Sequence, residues 1–187
     1  MQRAVDSTPT PTADAPPSGP PAFATIYDDH VKFVWRVLAR LGVTRSDLED
    51  VCQEVFIVVH RRLGDFEGRS SLRTWIYGIA LRCASEYRRR NARRRPASTP
   101  VPEIAIAGSQ LEDLDARDAR ATLDRLLELL DAEKRDVFVL FELEELAMAE
   151  VVAIVGCPLQ TGYSRLHAAR AIVEAGAARM RAQERRS

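Results

Sequence analysis

From Val31 to Met180 apolar residues recur at steps of three and four, and one segment without any such stripe, Pro96–Gly108, interrupts them. That period belongs to amphipathic α-helices. The interruption carries three prolines and reads as a linker. The expected fold is therefore all-α: two small helical domains joined by a flexible linker, the second containing a helix-turn-helix. The expected boundaries are a disordered tail at 1–22, a first domain at 23–95, the linker at 96–108, a second domain at 109–182 and a short tail at 183–187. Residues 1–22 are rich in Pro, Thr and Ala and have too few large apolar groups to offset chain entropy by burial.

Local signals place the helices. Val31, Val34, Trp35, Leu38 and Leu41 form one stripe, closed by Gly42. Ser46 and Glu49 have the spacing of a capping box. The helix they open buries Leu48, Val51, Cys52, Val55, Val58, Val59 and Leu63, and shows Asp47, Asp50, Gln53, Glu54 and Arg61 on its other face. A loop from Gly64 to Ser71, with serine as a cap, precedes a helix from about Leu72 to Arg90 through Trp75, Ile76, Ile79, Cys83 and Tyr87. After the linker, Ser109 with Glu112 forms another box, leading through Leu123, Leu126, Leu127 and Leu130. Asp131 is the expected N-cap of a helix burying Val137, Leu140 and Phe141. A short helix, Met148 to Val155, then ends at Gly156-Cys157-Pro158, and a longer one runs from about Gln160 to Met180. Two helices joined by a tight glycine turn are a helix-turn-helix or a plain packing hairpin.

The net charge is zero, from 27 basic and 27 acidic residues, yet the charges are segregated. Arg82 to Arg95 holds seven arginines against Glu86; Glu128 to Glu150 holds eight acids against Lys134 and Arg135. Such blocks suit two kinds of partner, or else solvated helix faces. Cys52, Cys83 and Cys157 are odd in number and widely spaced, which suits a reducing cytoplasm and gives neither a disulfide framework nor a zinc cluster. His30, His60 and His167 share no ligand spacing, so no metal or other cofactor is expected. No apolar run reaches membrane-spanning length, and the N-terminus has no signal-peptide h-region. With no phosphate loop and no nucleophile–base motif, an enzyme is not expected.

Against this background three stretches resemble one family. Asp47-Leu48-Glu49-Asp50-Val51-Cys52-Gln53-Glu54-Val55-Phe56 is similar to the polymerase-binding helix of bacterial sigma factors. The stretch from Phe66 to Ala80 (FEGRSSLRTWIYGIA) resembles their promoter-melting, −10-element segment. Glu142 to Leu146, Gly156, Thr161, Ser164-Arg165-Leu166-His167 and Ala169-Arg170 resemble the −35-reading helix-turn-helix. These motifs lie in order across roughly 23–180, and the short chain is similar to the extracytoplasmic-function (ECF) group. The resemblance implies binding to core RNA polymerase and to double-stranded and locally melted promoter DNA, and a sequestering anti-sigma factor as a further partner. A sigma-like adaptor or decoy that does not open promoters is the alternative.

By that resemblance, Asp47, Asp50, Gln53 and Glu54 meet the polymerase; the i, i+3, i+4 spacing of the last three makes one acidic-polar face. The −10 region takes Phe66, Gly68, Arg69, Ser70, Arg73, Trp75, Arg82, Arg88, Arg89 and Arg90, the loop receiving a flipped base and the arginines meeting phosphates. Trp75 is either core or a melting wedge. The −35 region takes Thr161, Tyr163, Ser164, Arg165, His167 and Arg170, with Leu159, Leu166 and Ala169 facing the core. The chain departs from the family pattern at Arg82 (commonly Asn), Ala147 (commonly Ser), Gly162-Tyr163 (commonly Val-Lys) and Ala168 (commonly Arg).

Overall fold

A computed structural model describes residues 22–94 and 114–185, so all but the last residue of the tail expected at 1–22, the linker at 96–108 and the Ser109–Glu112 box lie outside the described residues. The first half is a three-helix bundle of α1 (Phe23–Arg40), α2 (Leu48–Arg62) and α3 (Leu72–Arg94), with a 3₁₀ turn at Leu63–Asp65. The second half holds α4 (Leu114–Glu128), α5 (Ala132–Phe138), a π turn (Val139–Leu143), α6 (Met148–Val155) and α7 (Leu159–Glu184).

α1 begins earlier than its first obvious stripe because Ile26 is buried, while Phe23 packs edge-on against His60 with ring centroids 4.8 Å apart. Its buried stripe is Ile26, Phe33, Val34, Val37, Leu38 and Leu41. Trp35, expected on that stripe, stands at its margin and is 42% exposed. Gly42 closes the helix as expected. It takes φ +89°, where an L-residue is strained, and the Val43 amide donates back to the Leu38 carbonyl at 3.1 Å. α2 buries Leu48, Val51, Cys52, Val55 and Val59, and Phe56 with them. Its cap differs from the expected box: the N-cap is one residue later, Asp47, and Ser46 bonds the Thr44 hydroxyl instead. The Asp47 carboxylate accepts from the Tyr87 hydroxyl at 2.7 Å, which ties the start of α2 to α3. Ser71 and Asp131 cap as expected, accepting from the Thr74 and Lys134 amides at 2.9 Å.

One apolar core runs through both halves, from Phe33, Val37 and Tyr77 to Val137, Leu140 and Met148. Two carboxylates of the second half are buried at this junction. Asp136 receives both Arg88 nitrogens, at 2.8 and 2.9 Å, and Arg88 also donates to the Leu41 carbonyl at 2.7 Å. Burial pushes the Asp136 carboxyl above the usual carboxylate range, while the Arg88 guanidinium pulls it back; the two-point geometry is that of a carboxylate. Arg135 packs on Gly42, where an added Cβ would come within 2.3 Å of its guanidinium. Burial also pushes the Cys52 and Cys83 thiols up to about 11, so neither is a ready nucleophile. Among the described residues no helix is long and apolar enough to cross a membrane.

Arg88 therefore differs from its neighbour Arg89, which is exposed and lies 4.0 Å from Glu86. Arg88→Ala is expected to cost about 2–3 kcal/mol in urea denaturation of the full chain, because it strands Asp136. Arg89→Ala is expected to stay within about 0.5 kcal/mol. Equal effects of the two substitutions would contradict the junction described here.

Candidate nucleic-acid interface

Three surfaces collect the residues singled out in the sequence. The first is on α2. Asp50 and Gln53 are exposed side by side, whereas Glu54 is half-buried and receives Arg90 at 3.0 and 3.2 Å. Asp47 is turned toward Tyr87 and Thr44 rather than toward that open face. The acidic face is thus joined to the basic end of α3 by an exposed ion pair, which contributes little stability but fixes the charges next to one another.

The second surface is a groove of about 500 Å³ between α3 and α6, lined by Arg62, Arg69, Ser70, Trp75 and Arg82 on one side and Ala153 on the other. Trp75, expected as core or wedge, packs partly buried against the apolar core. It is half-buried at the wall, its ring 5.3 Å from Phe66. Gly68 takes φ +69° in the loop above, and Ser70, Arg69 and Arg82 are exposed. Thr74 closes the other end by donating to Glu150 of α6 at 3.2 Å. The α3 wall of the groove is aromatic and cationic, the chemistry that stacks an unpaired base and holds its phosphate, while the α6 wall is Ala149, Glu150, Ala153 and Ile154. In the closed chain one wall comes from the other half.

The third surface is the N-terminal part of α7. Gly156 takes φ +75°, ending α6, and Pro158 precedes α7. Gln160, Tyr163, Ser164 and His167 are exposed and, at i, i+3, i+4 and i+7, share one face; Tyr163 is 51% exposed. Thr161 is half-buried beside them. Arg165 donates to Glu133 at 2.7 Å, and Arg170 to Glu142 at 2.6 Å while standing over the Phe141 ring. Leu166 and Ala169 face the core as expected, but Leu159 does not: in the first turn, ahead of the packed section, it is 51% exposed. Gln160 was missed, although its spacing to Tyr163 and Ser164 would have found it.

Two departures from the family pattern acquire physical reasons. Gly162 is buried where α7 crosses α6, and a Cβ there would come within 2.5 Å of Val152 and 3.0 Å of Met148. Ala147 has no side-chain oxygen to cap α6, and Glu150 supplies half of a box by accepting the Ala147 amide at 3.2 Å.

Residues 26–94 match the family described as Sigma-70 region 2, and residues 120–173 match Sigma-70, region 4. The ECF RNA polymerase sigma-E factor of Haemophilus influenzae is 32% identical over 142 residues, covering 71% of this chain and 75% of that protein. The protein of the same description from Escherichia coli K12 is 33% identical over 143 residues, covering 71% and 74%. Among solved structures, the sigma factor RpoE in complex with the anti-sigma factor NepR, from Bartonella quintana, aligns with a TM-score of 0.68 at 21% identity, covering 82% of this chain and 95% of that one. CnrH in complex with the cytosolic domain of CnrY aligns at 0.60 and 23% identity, covering 82% and 85%.

The close approach at Gly162 has a measurable consequence. Gly162→Val is expected to overpack the α6–α7 crossing and lower stability by about 1–3 kcal/mol, despite removing a helical glycine. A gain in melting temperature would show that the two helices are not held this close.

Proposed function

The chain belongs to the ECF group of the sigma-70 family and is a sigma factor that directs transcription initiation, and from that premise we propose how its two halves divide the work. The first domain, 23–95, docks on core RNA polymerase through Asp50, Gln53 and Glu54, with Asp47 fixing the start of that helix. It receives the melted −10 strand in the groove lined by Arg69, Ser70, Trp75 and Arg82, with Phe66 and Gly68 in the adjoining loop. Arg73, Arg89 and Arg90 meet phosphates beside it, and Arg88 joins them only if it leaves Asp136. The second domain, 109–182, reads the −35 element with Gln160, Thr161, Tyr163, Ser164, Arg165 and His167, while Arg170 meets the backbone. The protein acts by binding rather than by catalysing a reaction of its own, and it does so in the cytoplasm. An anti-sigma factor that covers these faces is a further partner. An adaptor or decoy without promoter opening is not favoured.

The observation that most supports this division is the exposed face of α7. After a left-handed glycine turn it presents Gln160, Tyr163, Ser164 and His167 with no covering element among the described residues. Side chains at the start of the second helix of such a pair reach base edges in the major groove. Glutamine can bind adenine at two points, and arginine guanine. The groove by Trp75 supplies the complementary surface for unpaired bases.

The direct test is a transcription assay with core polymerase and this chain, followed by mapping of transcript ends. A shared pair of upstream elements is the expected result, and transcripts without one would sink the reading. Within it, Arg165→Ala is expected to cost about 1–3 kcal/mol on the preferred upstream element and much less on a scrambled one. The measurement is holoenzyme binding to the two duplexes. An equal loss on both would reassign Arg165 to the phosphates.

A further inference from the structure

Glu144 is the most enclosed charge of the junction, its side chain 1% exposed, and its partners come from the other half of the molecule. Arg40 donates to it at 2.6 Å, Arg73 stands at 3.5 Å and Arg36 at 3.7 Å, and the Tyr77 hydroxyl donates to the same oxygen as Arg73. Burial and the Glu144 contact hold the Tyr77 phenol well above its ordinary range, so it remains a donor. Arg36 and Arg40 lie one turn apart on α1, and Arg73 lies in the first turn of α3 with its guanidinium 4.7 Å from the Phe33 ring. Three cations and a hydroxyl donor thus converge on one anion, beside an opening of about 370 Å³ that Leu143 and Glu145 also line.

We propose that Arg36, Arg40, Arg73 and the Tyr77 hydroxyl form a binding site for a backbone phosphate of promoter DNA, and that the Glu144 carboxylate occupies it in the closed chain. The proposal rests on the reading above that the first half binds the melted strand. Arg36 and Arg40 belong to none of the sequence motifs.

The chemistry favours a phosphodiester. It carries the single negative charge of the carboxylate it replaces, and its oxygens suit the planar donors of several guanidinium groups. When the halves part, three positive charges and the Tyr77 hydroxyl lose their acceptor together, a cost that the incoming anion offsets. The place fits as well: Arg73 directly precedes Thr74 and Trp75 of the groove wall, so a strand seated against Trp75 has a neighbouring phosphate within reach of the arginines. Glu144 and DNA then compete for one site, and seating the strand and separating the halves become one event.

The test uses the full chain, a fluorescein-labelled single-stranded oligonucleotide, and anisotropy titrations at several salt concentrations. If nine chains in ten are closed, Glu144→Gln tightens binding about tenfold. Glu174→Gln makes the same charge change on an exposed side chain of α7, outside that opening, and is expected to move affinity less than about twofold, as a surface charge does. Adding Arg36→Gln and Arg40→Gln to Glu144→Gln is expected to remove the gain and to flatten the log–log salt slope by about 0.7 for the lost phosphate. A triple variant that binds as tightly as Glu144→Gln overturns the proposal, as does a Glu144→Gln gain no larger than that of Glu174→Gln. If Glu144→Gln fails to fold by circular dichroism, the Arg36→Gln, Arg40→Gln pair is examined in reconstituted holoenzyme. There a shorter-lived open complex with a shallower salt dependence supports the site, and unchanged values overturn it. Wild-type holoenzyme that makes no promoter-specific transcript would instead sink the parent reading, so the two failures are distinguishable.

Discussion

A carboxylate with 1% of its side chain exposed is stable only if its environment replaces the water it lost, and for Glu144 that replacement comes from the far half of the chain. The local backbone makes this possible. Between α5 and α6 the helix widens into the π turn at Val139–Leu143, with the Glu144 amide donating to the Val139 carbonyl at 3.1 Å. Glu145 follows at φ +58°, the positive-φ residue without a glycine's freedom among those described. Such turns are often found at functional positions, and a strained residue beside one persists only where neighbouring contacts hold it. Here the neighbouring contacts are the Arg40 and Tyr77 bonds to Glu144.

The same junction decides how firmly the halves adhere. The core that runs through them, with Val137, Leu140 and Met148 facing the first bundle, supplies nondirectional attraction. The Glu144 and Asp136 contacts add orientation, since each carboxylate is satisfied only in one arrangement. An apolar junction of equal area would be harder to reopen. Buried charges are strongly bound when fully partnered and costly when any partner is missing, so this junction has few stable intermediate states. That property suits the proposed exchange of Glu144 for a phosphate, in which the halves part in one step.

Much of this was legible in the sequence, and the failures are informative. The helices, the Gly42 and Gly156 terminators, the Asp131 cap and the exposed Asp50–Gln53 face all follow from local periodicity and capping chemistry, which act over a few residues. Trp35 and Leu159 were misplaced because the margin of a stripe is decided by which element covers it, and that is tertiary information. Arg88 looked like one of a run of equivalent arginines, yet its side chain turns inward to Asp136, 48 positions away. Nothing in the sequence signals the π turn. Gly162 is a departure from the family pattern without a local reason until Val152 and Met148 are seen against it.

The charge balance can now be interpreted. Zero net charge is an argument against a nucleic-acid partner only when the charges are evenly mixed, and here they are not. Asp136, Glu144 and Glu150, from the acidic block, face Arg88, Arg40 with Arg73, and Thr74 of the first half. Part of the acidic block is therefore an internal partner for the basic surface. Glu133 and Glu142 do the same for Arg165 and Arg170 on α7. On the proposed reading, a cation that leaves its own carboxylate for DNA, as Arg165 would leave Glu133, binds with the difference between two ionic contacts rather than the whole of one. A difference of that kind is small for DNA in general and larger where the base edges add contacts that no carboxylate supplies. On that reading the acidic block lowers affinity for every sequence by the same amount, so the discrimination of a neutral chain rests on its base-edge contacts, where a strongly basic chain would also hold arbitrary sequence tightly.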